Sequence, residues 1–211
     1  MSVREQVVRF LKTNPSIGAV NFCFQGHKIW PDAYRRDVAQ AVADGEIKQG
    51  HSVNPGAAAT YRQMQDRLEL KPSFSFSSTD DLGRLLHECT HAILDMRAIG
   101  PHSNQLDEAI AYLAQGFFLT RARGDASSVP DKPGPAIPKD VHGVAIYHEA
   151  RRIAAKALRN HLYWIPDEDA RSLVRVVAAN AHYKDKVTYV SDRFKRSIWR
   201  EAGRWTVPLF F

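Results

Sequence analysis

The chain has 211 residues, 44% of them apolar and 25% charged, with a formal net charge of +6. That length suits one domain with a sizeable core, and the composition is that of an ordinary globular protein, which excludes a disordered or fibrous chain. No apolar run reaches the length that spans a bilayer, so a helical membrane protein is excluded too.

The start, Met1-Ser2-Val3-Arg4-Glu5, lacks the basic-then-apolar pattern of a secretory signal. The expected location is the cytoplasm, or the outside of the cell by way of a specialised secretion system. Two cysteines, Cys23 and Cys89, are too few for a disulfide framework and form no Cys-x-x-Cys pair for a zinc-thiolate site.

Residues 3–13 (Val3 to Thr13) read as a helix with Val7, Val8, Phe10 and Leu11 apolar, broken by Asn14-Pro15-Ser16. Ala19 to Phe24 is a strand candidate. Residues 32–44 are Ala-rich and predict a helix ending near Gly45. Ile47 to Val53 predicts a second strand, and Asn54-Pro55-Gly56 a turn. Leu68-Glu69-Leu70 is strand-like, and Phe74-Ser75-Phe76 alternates as if paired with it. This small sheet would lie just before the next helix, where an edge strand can take an extended peptide by β-addition.

Residues 79–98 form a clear amphipathic helix. Ser77-Ser78-Thr79 offers the N-cap, Asp80 and Asp81 favour the positive end of the dipole, and Leu82, Leu85, Leu86, Cys89, Ile93 and Met96 recur at helical spacing. Residues 105–121 predict another helix. Residues 124–140, with four prolines, read as a surface loop. Residues 143–160, 167–182 and about 188–203 predict three further helices, the second opened by Pro166 and Asp167.

The basic residues thicken towards the C-terminus (Lys184, Lys186, Arg193, Lys195, Arg196, Arg200, Arg204), with aromatics among them. Nucleic-acid binding would use such a mixture. A final helix with a solvated basic face and a buried aromatic face explains it more simply, so nucleic acid is not the expected partner.

The helix over 79–98 carries His87-Glu88-Cys89-Thr90-His91. Histidines four apart stack on one helix face and can hold one metal ion. Glu88, rotated about 100° from His87, is placed to take a proton from the attacking water. A surface helix that merely carries two histidines has the same pattern, so the rest of the chain must decide. A hydrolytic zinc site has three protein ligands. A His-x-x-Gly-x-x-His continuation is excluded, because Leu94 and Arg97 occupy its positions. His102 in the following loop and Glu108 in the next helix are the candidates. Glu108 is favoured, because the 17 residues after His91 allow a loop and an antiparallel return.

His-Glu-Cys-Thr-His-Ala-Ile-Leu-Asp followed by Asp-Glu-Ala-Ile-Ala resembles the gluzincin metallopeptidases, most closely the thermolysin–fungalysin branch. The resemblance covers about residues 85–112 and 140–143. It implies one zinc ion per chain held by His87, His91 and Glu108, with Glu88 as general base and Asp95 behind the ligands. In that branch a Val-His before a helix supplies the oxyanion donor. Here Val141-His142-Gly143 matches, which implies that role for His142, with Tyr147 and His148 in reserve. Where the family has an Asp four residues after the ligand Glu, this chain has Tyr112, a further oxyanion donor candidate.

The expected architecture is α+β, predominantly α-helical and zincin-like. It is a single domain with N-terminal helices and a small sheet (1–78), metal-binding helices (79–123), a Pro-rich loop (124–140) and C-terminal helices (141–211). The expected function is zinc-dependent peptide hydrolysis on a protein or peptide substrate. Size and basic charge suggest a toxin-type effector with a cognate inhibitor. The different-class alternative is a non-catalytic, zinc-stabilised helical module that binds protein or nucleic acid through its basic C-terminus.

Overall fold

The computed structural model describes residues 1–51, 57–97, 103–131, 143–180 and 182–183. The chain is α+β and mostly helical. Helix α1 (Val3–Thr13) has the bounds its pattern predicts. Ser2 accepts from the Glu5 N–H while the Glu5 side chain accepts from the Ser2 N–H, a reciprocal cap. Asn14 ends the helix, and its side chain accepts from the Ser16 N–H at 2.9 Å. Pro15 then opens a tight 3₁₀ turn that runs to Ala19.

That turn shortens the expected strand to β1 (Phe22–Phe24), which pairs antiparallel with β2 (His27–Ile29). Gln25 (φ 48°) and Gly26 (φ 86°) link them in left-handed backbone, the twist a two-residue hairpin needs. The helix expected over 32–44 is present but changes pitch. A wide π-type segment (Ala33–Val38) runs into α2 (Ala39–Ala43).

Strands β3 (Lys48–His51), β4 (Ala59–Arg62) and β5 (Arg67–Leu70) form a second sheet in the order β3-β5-β4. The centre strand β5 is parallel to β3 and antiparallel to β4. The expected pairing of Phe74–Phe76 with Leu68–Leu70 does not occur, because both edges of β5 are already taken. The segment instead leads into the next helix. The Ser75 N–H donates to the Asp81 carboxylate at 2.9 Å, and the two phenylalanine rings meet edge to face.

Ser78 caps α3 (Thr79–Met96), accepting from the Asp81 N–H at 3.2 Å. Leu85, Leu86, Cys89, Ile93 and Met96 are buried, as their spacing predicts. Helix α4 (Asn104–Arg123), capped by Ser103, returns along α3. A Cβ on Gly83 would lie 2.9 Å from the Leu119 side chain, so the bare glycine is what lets the two helices approach. Helices α5 (Val144–Arg159) and α6 (Asp167–Ala179) follow, and one continuous apolar core runs from Val7 to Tyr183. Each Leu, Ile or Phe in it contributes on the order of 1.5–3 kcal/mol.

Between α5 and α6 a charged cluster is buried. Arg152 donates to both Glu149 oxygens and to Asp169, each at 2.8 Å, and Lys156 completes Asp169. Among the described residues no helix is long and apolar enough to cross a membrane. His102, His142, most of the Pro-rich loop and the final helix expected over about 188–203 lie outside the described residues.

Candidate metal centre and active site

Helix α3 has two faces. The apolar stripe turns to the core, while Asp80, Arg84, His87, Glu88, His91 and Asp95 follow one another at three-, four- or one-residue steps on the other. That second stripe floors an open cleft. Helix α4 forms one wall and the edge strand β4 the opposite one.

Because α4 runs back along α3, Glu108 meets both histidines. His87 Nε2 and His91 Nε2 are 3.2 Å apart. The Glu108 carboxylate lies 3.4 Å from the first and 3.8 Å from the second. Four ligands set tetrahedrally about a zinc ion at about 2.0–2.1 Å stand about 3.3–3.4 Å from one another. The first two separations match that value, and the third, from His91 to the carboxylate's other oxygen, is longer at 3.8 Å. Glu108 Oε2 is buried and makes no hydrogen bond, although it faces His87 Nε2. A cation among the three would satisfy it. The donor set, two neutral imidazoles and one carboxylate, is one that zinc accepts.

The electrostatics agree with a cation site. Burial would raise the Glu108 carboxyl, but His91, His87 and Tyr183 overcome it and bring it down to about 2. Burial would lower His87, yet Glu108, Glu88 and Gln115 hold its proton above the ordinary range. Glu88 goes the other way. Burial raises it, against the pull of both histidines and of the Tyr61 N–H, which donates to it at 2.7 Å. A carboxylate raised by burial beside a metal site is suited to exchanging protons near neutrality.

Asp95 is buried and accepts from the Tyr61 hydroxyl at 3.0 Å and from Gln63 Nε2 at 2.8 Å. It ties α3 to the edge strand and the turn that follows. Tyr112 lies beside His87, His91 and Glu108. Its ring meets His87 edge to face at 4.6 Å, and its hydroxyl is 3.2 Å from that of Tyr183. Burial, opposed by Tyr183, pushes the Tyr112 phenol up to about 12, so it remains a donor. Tyr147 lines the same cleft further along and accepts from Arg123 at 2.8 Å.

Four residues of this site have no local signal in the sequence. Tyr61 and Gln63 belong to short stretches, Gln115 is a single polar residue within the apolar middle of α4, and Tyr183 lies in the basic, aromatic tail. Only the fold brings them to the cleft. Compared with protein-family models, with curated proteins and with solved structures, the chain matches none.

Proposed function

We propose that this chain is a zinc-dependent metallopeptidase of the gluzincin type on a zincin-like scaffold. One observation carries the reading: His87, His91 and Glu108 present ligand atoms within 4.8 Å of one another, on two helices that meet beside Glu88. The three residues that the resemblance implies as ligands are the three that lie close together in the fold, which supports the reading. When bound there, zinc supplies Lewis acidity to the scissile carbonyl and acidifies the attacking water.

The chain's own groups divide the remaining work. Glu88 accepts the proton of the attacking water and delivers it to the leaving amine, while the Tyr61 N–H fixes the carboxylate's direction. The Tyr112 and Tyr183 hydroxyls, beside His87 and Glu108, donate to the developing oxyanion. His142 retains the same role by resemblance. Tyr147, held by Arg123, contacts substrate further along the cleft. The edge of β4 that faces the cleft takes the peptide in extended form.

The test is Glu88→Ala incubated with a degenerate peptide library. The expected variant keeps one zinc per chain and loses cleavage; a wild-type cleavage rate would contradict the mechanism. Use as a toxin-type effector rests on size and basic charge alone. Expression in the cytoplasm and in the periplasm of a bacterial host tests it, and growth unaffected in both overturns it.

A further inference from the structure

The cleft extends from the metal cluster in two directions along α3, and its two ends carry opposite charge. The end beside the N-terminal half of α3 holds Arg84 and Arg123. Arg84 is exposed, one turn before His87, and has no ion-pair partner among the described residues. Arg123 is fixed by Tyr147 at 2.8 Å and by an ion pair to Asp80. These bonds use two of its five N–H donors and leave the rest for a ligand. The end beside the C-terminal half of α3 holds Asp95 and Asp107, and among the described residues no Lys or Arg lines it.

Strand β4 fixes the direction in which a peptide meets these ends. Ala57 and Ala59 line both ends, but Ala58 lies with Arg84, whereas Thr60, Tyr61 and Gln63 lie with Asp95; Tyr61 bonds Glu88 and Gln63 bonds Asp95, so β4 and α3 point the same way. The Tyr61 N–H reaches Glu88, which shows that this edge of β4 faces the cleft. An extended peptide pairs better antiparallel than parallel. It then runs with its N-terminal part over Asp95 and Asp107 and its C-terminal part over Arg84 and Arg123.

We infer that the site selects substrates bearing a carboxylate on the leaving-amine side of the cleaved bond, with Arg84 and Arg123 as the specificity-determining residues. The carboxylate is that of a Glu or Asp side chain, or of the substrate's own C-terminus. This inference rests on the peptidase reading above.

The test uses the full-length, zinc-loaded protein and a peptide from the degenerate library that it cleaves. Four versions are compared by kcat/KM: Glu directly after the cleaved bond with an amidated C-terminus; Gln there, amidated; Gln there with a free carboxylate one residue beyond; and Glu directly before the bond, amidated. A charge-assisted hydrogen bond predicts about a tenfold gain for the first over the second, and no gain for the fourth. A gain confined to the third also supports the carboxylate site and assigns its source to the chain terminus. Arg84→Glu, a surface change, is expected to keep one zinc per chain and to prefer Lys over Glu after the bond. Equal rates for the first three peptides, a preference for the fourth, or a preference unchanged in Arg84→Glu would overturn the inference. Cleavage without charge preference leaves the peptidase reading standing; no cleavage of any peptide defeats that reading and the inference with it.

Discussion

Tyr61 holds α3 at two points: its main-chain N–H donates to Glu88 at 2.7 Å, and its hydroxyl donates to Asp95 at 3.0 Å. The edge strand and Glu88, the proposed base, are thus registered by one residue. Asp95→Ala removes the acceptor of the half-buried Gln63 amide and the nearer of two acceptors of the buried Tyr61 hydroxyl, which keeps only Asp66 at 3.2 Å. The expected loss is about 1–3 kcal/mol in a urea melt, with zinc content intact and kcat reduced, because Glu88 and β4 no longer share a fixed register. Unchanged kcat at reduced stability would restrict Asp95 to a purely structural role.

Metal removal tests the ligand cluster through stability. At free zinc 100 times Kd, binding adds about 2.7 kcal/mol, which for a chain of this size raises Tm by roughly 5–10 °C. A chelator is expected to lower Tm by that amount in the wild type and by nothing in Glu108→Ala. Differential scanning calorimetry with and without chelator reads both.

Acidification should act oppositely on the two forms. In the metal-free protein the His87 pKa is raised above its ordinary 6.5. This group therefore stabilises the metal-free fold most fully below pH 6.5, and that contribution is lost as pH rises through the raised value. Zinc needs His87 neutral, so falling pH weakens the loaded form. The Tm difference between loaded and metal-free protein is expected to shrink steadily as pH falls through the range just above 6.5.

The buried cluster between α5 and α6 predicts a separate acid sensitivity. Burial raises Glu149, but hydrogen bonds from Arg152 and Ser172 more than offset it, and its pKa falls below the ordinary 4.5. Asp169 is lowered likewise by Lys156 and Arg152. Depressed carboxylates stabilise the fold above their unfolded values and lose that contribution as pH drops through the folded ones. Arg152→Met leaves Glu149 without a cation and is expected to cost about 3–5 kcal/mol at neutral pH, with the deficit narrowing below pH 4.5. Urea melts at pH 7 and pH 4 measure the difference.

Gly143 starts α5 in left-handed backbone (φ 76°), and a Cβ there would stand 3.1 Å from the Tyr112 hydroxyl. Gly143→Ala is expected to cost about 1–2 kcal/mol and to displace Tyr112, lowering kcat more than it changes KM.

The helices were legible in the sequence because each carries its own instructions. Ser2 with Glu5, Ser78 with Asp81, and Pro166 with Asp167 mark helix starts, and apolar spacing gave the faces. His87, Glu88 and His91 were legible for the same reason, since one helix sets their spacing. Glu108 required the fold to fulfil an expectation: α4 must return antiparallel, and the bare Gly83 against Leu119 lets it come close. The strands were less legible. Ala59–Arg62 has only four residues and no β-branched run, and the aromatic alternation of Phe74–Phe76 imitated a strand where the chain turns into α3. Tyr61 and Tyr183 reach the site through tertiary pairing alone, which no local spacing encodes.

Anomalous scattering at the zinc edge from crystals grown with one equivalent of zinc tests the central claim most directly. The account predicts a single strong peak about 2.0–2.2 Å from His87 Nε2, His91 Nε2 and a Glu108 oxygen. A peak bound elsewhere, or none at this cluster, would contradict it.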